Sequence, residues 1–329
     1  MSNIREIAKR AGVSITTVSR VLNHHPYVKE EKRKRVLDAI KALEYTRNIH
    51  AVHLAKGFSN MIGIVLPTIN HSYFSELVNG IAEKAQNQGI HFALFQTNYD
   101  HKKEEEALMK LKERQVDGLI FCSKALSDQE LVKWKAAGPI VFCHDTQDND
   151  FSSVSIAHEQ AFQDGLEHLV SCGHEKLAIV LARKEGINSQ VRMKAYKKMM
   201  KTIGQEIKYE WIIDGKLTLF DGRKLFAEWR SMVNQPSALL VSNDQVSAGF
   251  VLEADRHRVK VGQYPAVLSF DNQQISEMLG ISTIEIPIKQ MGHEAFELLN
   301  QAMNGSLPEK KVLPYRLIER MTTSFKNNR

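Results

Sequence analysis

The spacing of apolar positions changes character near residue 60. Before it, the pattern is helical: Ile4, Ile7, Ala8 and Ala11 fall on one helix face. Asn3 and Glu6 stand at capping-box spacing, which predicts the helix start. Gly12-Val13-Ser14 breaks the pattern, and Ser14 can cap a second helix over residues 15–23. Ala8 and Gly12 suit a tight turn, with a small residue where two helices touch and a glycine where the chain reverses. Beyond His24, His25 and Pro26, a third helix is predicted from about 30 to 43, with Val36, Leu37, Ile40 and Leu43 facing one way. Three short helices with a three-residue turn between the first two describe a helix-turn-helix unit.

From Met61 the pattern becomes strands alternating with helices. Strands are expected over 62–66, 91–96, 118–122 and 140–143, and helices over 74–88, 101–115 and 127–137. A second series has a helix over 159–171 and strands over 177–181, 239–242 and 266–270. Such alternation predicts parallel, doubly wound sheets, here in two lobes with a cleft between them. Open parallel sheets bind ligands at the carboxyl ends of their strands. Polar clusters stand there: Thr68 to Asn70, His144-Asp145, Asn243-Asp244 and Asp271-Asn272. Each alone reads as a turn or helix cap. Four together point to a polar ligand.

The stretch NIHAVHLAKG, from Asn48 to Gly57, reads as a short helix between these regions. About ten residues are marginal as an isolated helix in water. The chain thus divides into 1–46, a linker at 47–59 and a core at 60–329.

Composition fits this division. The 329 residues are 43% hydrophobic and 25% charged, a globular balance with length for two or three domains. Apolar runs such as that at 62–66 are strand-sized, too short to span a membrane. The N-terminus is charged from its fifth residue and lacks a signal-peptide stretch, so a cytoplasmic protein is expected. Cys122, Cys143 and Cys172 are too scattered for a disulfide framework or zinc site, and adjacent His24 and His25 cannot easily share an ion. No metal or cofactor is expected.

Charge is uneven. Residues 1–60 hold 12 Lys/Arg against 5 Asp/Glu, and the remainder 32 against 33. All the excess positive charge lies in the first fifth of the chain, which points to a polyanion partner for that part. The second helix offers Ile15, Thr16, Thr17, Ser19 and Arg20. Arg can grip a guanine edge, Thr and Ser can reach phosphates or bases, and Ile can meet a thymine methyl. The same spacing and charge also fit an ordinary three-helix bundle.

An enzyme is the rival class for an α/β chain. The sequence has no GxGxxG after a strand, no GxxxxGK[ST], no GxSxG and no HExxH. Cys172-Gly-His174 reads as a loop before a strand rather than a thiol–imidazole pair. A stand-alone sugar-binding protein would not need the helix-turn-helix.

The run AGVSITTVSRVLN, within residues 4–48, resembles the headpiece of the LacI/GalR family of bacterial repressors. SYFSELVNGIAEKAQNQG, VDGLIF, HLVSCGHEKLAIV, VSNDQVSAGF and LSFDN extend the resemblance over nearly the whole chain. It implies a core like the periplasmic sugar-binding proteins, with an N-lobe of about 60–159 and 289–318 and a C-lobe of about 160–288 and 319–329. The chain would cross between lobes near 156–162, 285–288 and 316–320. By the same resemblance, Ile15, Thr16 and Arg20 read bases, while Thr17, Ser19, Asn23 and Tyr27 position the DNA backbone. The stretch 48–57 becomes a hinge helix, with Asn48, Ala51 and Leu54 at the minor groove. Tyr73, Phe74, His144, Arg192, Asn243 and Asp271 would line an effector cleft. Arg192 and Asp271 would bond ligand hydroxyls, and Tyr73 or Phe74 would cover an apolar face.

The implied function is a repressor of carbohydrate or catabolite genes, binding a pseudo-palindromic operator as a homodimer. The chain's end carries no heptad tail that would add a tetramer. The effector would be a sugar, sugar phosphate or related molecule, or instead a phosphocarrier-protein corepressor. Three residues depart from the family pattern. Lys29 replaces the usual serine cap of the third helix, Arg47 the usual proline before the hinge, and His144 a frequent acid.

Overall fold

The computed structural model describes residues 3–45, 58–146 and 148–323. The chain forms two compact units, Met1–Phe58 and Ser59–Arg329. Asn48, Ala51 and Leu54, expected in a hinge helix, lie outside the described residues.

Among its described residues the first unit has three helices: α1 (Ile4–Ala11), α2 (Ile15–Leu22) and α3 (Glu30–Ala42). The capping box forms as expected. Asn3 Oδ1 accepts from Arg5 N and Glu6 N at 3.0 and 3.1 Å, and Glu6 Oε2 accepts from Asn3 N at 3.3 Å. Gly12 adopts φ 61°, a left-handed conformation open to a residue without Cβ, and so turns the chain between α1 and α2. Ser14 Oγ accepts from Thr17 N at 3.2 Å and caps α2. Ile7, Ala8, Val18, Val21, Val36 and Ala39 close the small core. Leu37 does not join it and is 52% exposed. The inward face of α3 runs Val36, Ala39, Ile40, Leu43, and Leu37 lies one residue, about 100°, off that stripe. No side chain caps α3, because Lys29 has no acceptor oxygen.

The second unit holds two six-stranded sheets. The first uses β1 (Met61–Leu66), β2 (His91–Gln96), β3 (Leu119–Phe121), β4 (Ile140–Phe142), β5 (Ser152–Ile156) and β11 (Lys310–Leu313). Its order is β11-β5-β4-β3-β1-β2, all parallel. The second uses β6 (Leu177–Val180), β7 (Ile212–Ile213), β8 (Ala238–Val241), β9 (Ala266–Asp271), β10 (Ser282–Glu285) and β12 (Arg316–Ile318). Its order, β12-β10-β9-β8-β6-β7, repeats the first, except that β12 is antiparallel. Central strands are buried on both faces because helices cover both sides, hence their unbroken apolar runs.

Three helices flank the first sheet's sequential strands: α4 (Ser72–Asn87), α5 (His101–Lys112) and α6 (Asp128–Val132). The helix expected over 127–137 is interrupted: α6 ends at Val132, and a 3-10 turn takes Lys135–Ala137. The second sheet carries α7 (His158–Ser171), α8 (Ile187–Thr202), α9 (Leu219–Ser231), α10 (Asp244–Arg256) and short α11 (Gln274–Met278). Last comes α12 (Ile288–Met303), which returns to pack on α4. A Cβ at Gly80 of α4 would collide with Lys289 O, and one at Gly292 with Leu77 O, so this crossing brings backbone against backbone. Gly222 and Gly249 make the same close crossing of α9 and α10.

The chain passes between sheets after β5, after β10 and after β11. The third passage falls at Pro314 and Tyr315, earlier than the expected 316–320. Residues 316–318 therefore belong to the C-lobe sheet, because β12 pairs with β10 through Thr283–Ile318 and Glu285–Arg316. Among the described residues, no helix is long and apolar enough to cross a membrane.

Candidate functional site

Two surfaces carry chemistry. On the first unit, Val18 and Val21 turn inward and so fix which face of α2 is presented. Ile15 is 47% exposed, and Thr16 and Arg20 are exposed beside it. Thr16 and Arg20 are four residues apart and share a face. Thr17 and Ser19 are only half-buried, not fully outward. The Thr17 hydroxyl lies 2.9 Å from Ser14 Oγ and so joins the cap. Asn23 Nδ2 donates to Ser19 Oγ at 3.5 Å, and Tyr27 is 85% exposed.

On the second unit, a cavity of about 150 Å³ lies between the lobes. The strand order explains its position. In each sheet the order reverses beside the first strand, and loops leaving neighbouring strands there diverge to open a crevice. After β1 come His71, Tyr73 and Phe74; after β3, Ser123 and Lys124; after β4, Cys143 and His144. The other lobe gives Arg183 after β6, Ser242 and Asn243 after β8, and Asp271 at the end of β9. All six residues expected at the cleft line it. His71, Lys124, His158, Arg183 and Asn188 were not expected. Arg183 stands just past a strand end and is legible by that rule. His158 opens a helix at a crossing, which leaves no sequence signal.

Several buried side-chain atoms here have no partner among the described residues: His144 Nε2, His158 Nδ1, Arg183 Nε, Arg192 Nε, Ser242 Oγ and Asn243 Nδ2. Elsewhere such atoms occur singly, as at Gln163 and Tyr264. Asn243 Oδ1 is occupied, accepting from Val246 N at 3.0 Å as the cap of α10, so Nδ2 is the end left without a partner. Arg192 Nη1 donates to Ser242 O at 3.4 Å, and its guanidinium lies 4.5 Å from the Phe270 ring centre.

Burial holds the His144 and His158 imidazoles neutral, each down at about 3. Lys124 adds to the effect on His144, and Arg192, then His144, to that on His158. Asp271 moves the other way. Burial pushes its carboxyl well above the usual range, the neighbouring Asp244 pushes it further, and Arg192 only partly offsets this. Asp244, fully buried behind it, is raised to about 6 by burial, against hydrogen bonds from Ser269, Gln273 and Thr283. Asp271 has φ 106° and Asn272 φ 56°, consecutive strained residues. Bonds to Asn272 from Arg320 Nη2 at 2.7 Å and from its own Nδ2 to Glu285 at 3.0 Å hold them.

The lobes are tied at both rims. Ser72 Oγ donates to Gln273 Oε1 and accepts from Gln245 Nε2 at 2.9 Å. Across the cleft, Arg183 Nη2 donates to Lys124 O at 3.1 Å while its guanidinium stacks 3.9 Å over Tyr99. Tyr73 meets Phe74 edge-on at 5.2 Å, and Phe74 also belongs to the core. Cys172 Sγ donates to Thr323 O at 3.6 Å, and His174 Nδ1 lies 3.2 Å from Ser237 Oγ. Among the described residues, no cluster has the make-up of a metal site.

A helix-turn-helix unit joined in one chain to a two-lobed core with a polar cleft defines a DNA-binding regulator with an effector-binding core. Residues 3–48 match the bacterial regulatory proteins of the lacI family, and residues 59–321 match the periplasmic binding proteins and sugar binding domain of the LacI family. The chain belongs to the LacI family of transcription regulators. It is 55% identical over 322 residues to the HTH-type transcriptional regulator YkvZ of Bacillus subtilis, covering 98% of this chain and 100% of that one. Catabolite control protein B of B. subtilis is 33% identical over 301 residues, 92% of this chain and 95% of its own. In structure, the lac repressor dimer bound to operator and the anti-inducer ONPF superposes with a TM-score of 0.84 at 25% identity, covering 98% of this chain and 99% of that one.

Proposed function

We propose that the protein acts in the cytoplasm as a homodimeric repressor of carbohydrate or catabolite genes, bound to a pseudo-palindromic operator and controlled by a small polar effector in the interlobe cleft. The observation that carries this reading is the cluster of unpartnered buried polar atoms from His144 to Asn243. Each such group costs about 1–3 kcal/mol when buried alone. Their concentration at one strand-end crevice fits a ligand that supplies the partners.

On the DNA side, Ile15, Thr16 and Arg20 read base edges, and Thr17, Ser19, Asn23 and Tyr27 position the backbone. Asn48, Ala51 and Leu54 act at the minor groove. One headpiece reads only a few base pairs, so two in a symmetric dimer are needed for a specific site. The likeness to catabolite control proteins supports a second reading, a phosphocarrier protein as corepressor. That reading asks nothing of the cleft atoms.

Two experiments test the proposal. Selection from random DNA should return a pseudo-palindrome at moderate salt, and its failure would remove the operator claim. A thermal-shift screen of sugars, sugar phosphates and purines should find a stabiliser, since binding only the folded state adds RT ln(1 + [L]/Kd). Stabilisation by a serine-phosphorylated phosphocarrier protein, with none by any small molecule, would favour the second reading.

A further inference from the structure

The C-lobe rim of the cleft holds positive charge without a matching acid. Arg192 is 7% exposed, and its Nε has no partner among the described residues. Asp271, the acid that interacts with it, has its carboxyl pushed upward by burial and by Asp244. Arg183 is in the same position. Its Nη2 is engaged by Lys124 O and its plane is fixed by Tyr99, but its Nε is buried and unpartnered. Lys124, by contrast, is already neutralised by Asp128 at 2.9 Å and bonded to Leu126 O at 2.7 Å. His144, on the other lobe's side of the cleft, carries a neutral ring.

The start of α8 enters the same place. Its N-cap residue is Gly186, no side chain caps it, and Gly186, Ile187, Asn188 and Ser189 line the cavity. A Cβ at Gly186 would stand 3.6 Å from Arg183 Nε, which sets that guanidinium beside the helix terminus. Arg192 sits on α8 four residues after Asn188, so its side chain leans back toward the same end. Unsatisfied N–H groups and the positive end of the helix dipole favour an anion there. The Arg183 and Arg192 guanidiniums line the same cavity, each with a buried Nε that has no partner among the described residues.

We propose that the effector is an anion: a polyhydroxylated small molecule whose phosphate or carboxylate lies between the α8 N-terminus and the Arg183 and Arg192 guanidiniums. The hydroxyl-bearing body extends toward His144, Asn243 and Asp271, whose amide, imidazole and carboxyl groups suit hydroxyl partners. The assignment rests on the cleft being the effector site. It adds the chemical class of what enters.

Isothermal titration of the full-length protein with matched probes tests it: glucose, glucose 6-phosphate, gluconate and 6-phosphogluconate, with inorganic phosphate alone. At least one anionic probe should bind about tenfold or more tightly than glucose. The phosphate and carboxylate arms identify which oxyanion is taken. Arg183→Gln should cut the anion's affinity by about tenfold and neutral-sugar affinity by much less. A thermal melt reports whether the variant is folded. Equal affinity for glucose and every anion overturns the proposal, as does an equal loss of both in Arg183→Gln or no binding by any anion. An anion that binds equally well to wild type and to both Arg183→Gln and Asn243→Ala lies outside the cleft. That result overturns the cleft reading itself.

Discussion

At the scale of single residues, the cleft is a place where burial decides charge. His144 and His158 stay neutral to about pH 3 in the folded protein but titrate near 6.5 when unfolded. Between those values the unfolded chain binds more protons, so stability falls as pH drops from 6.5. Each histidine contributes a slope of about 1 kcal/mol per pH unit near pH 5.5. Asp244, raised to about 6, and the raised Asp271 act oppositely: below their folded values the native state holds the extra protons. The expected outcome for His144→Gln is a thermal midpoint that falls less steeply with acid than wild type. Parallel melting curves would remove the histidine from the pH account. On the DNA side, Arg20→Ala should cost roughly 1–3 kcal/mol per half-site and relax preference at one base pair. A uniform loss over all sequences, measured by competition binding, would make Arg20 a phosphate contact. Strand-end polarity made His144, Asn243 and Asp271 visible in the sequence. His158 and Lys124 were not, because one opens a crossing helix and the other bonds its own loop.

At the scale of elements, legibility followed how cleanly burial matched residue type. The apolar strand β1 and the helix-turn-helix could be read directly. β5, Ser152–Ile156, is wholly buried yet has serine at three of its five positions, so its composition hid it. α8 was hidden by Arg192, a charge on its inward face beside Tyr196, which blurs the helical stripe. β7 has two residues and no pattern to show. Two element-level changes are informative. Lys29→Ser supplies the oxygen that α3 lacks, at a residue with φ −55° and ψ 135°. It should stabilise that helix start by about 1 kcal/mol, seen as slower hydrogen exchange of the first-turn amides. Gly222→Ala drives a Cβ into Val246 O, where α10 crosses. It should lower stability by about 1–3 kcal/mol or more, measured by urea unfolding. An unchanged midpoint would mean that the two helices can part without loss.

At the scale of the whole molecule, the cleft is linked to the relation between the lobes. Gln273 accepts from Ser72 of the other lobe, donates toward Asp271 at 3.4 Å, and gives its backbone N–H to Asp244 at 2.6 Å. A ligand at Asp271 therefore acts on a group that also ties the rims together. Effector control requires only that the ligand favour one lobe arrangement over another. The direct measurement is operator affinity by fluorescence anisotropy, with and without the anionic probe that titrates most tightly, for wild type and Asp271→Ala. The probe should shift operator affinity of wild type by several-fold, whereas Asp271→Ala should bind operator as wild type does but ignore the probe. An equal shift in both proteins, or none in wild type, would contradict it.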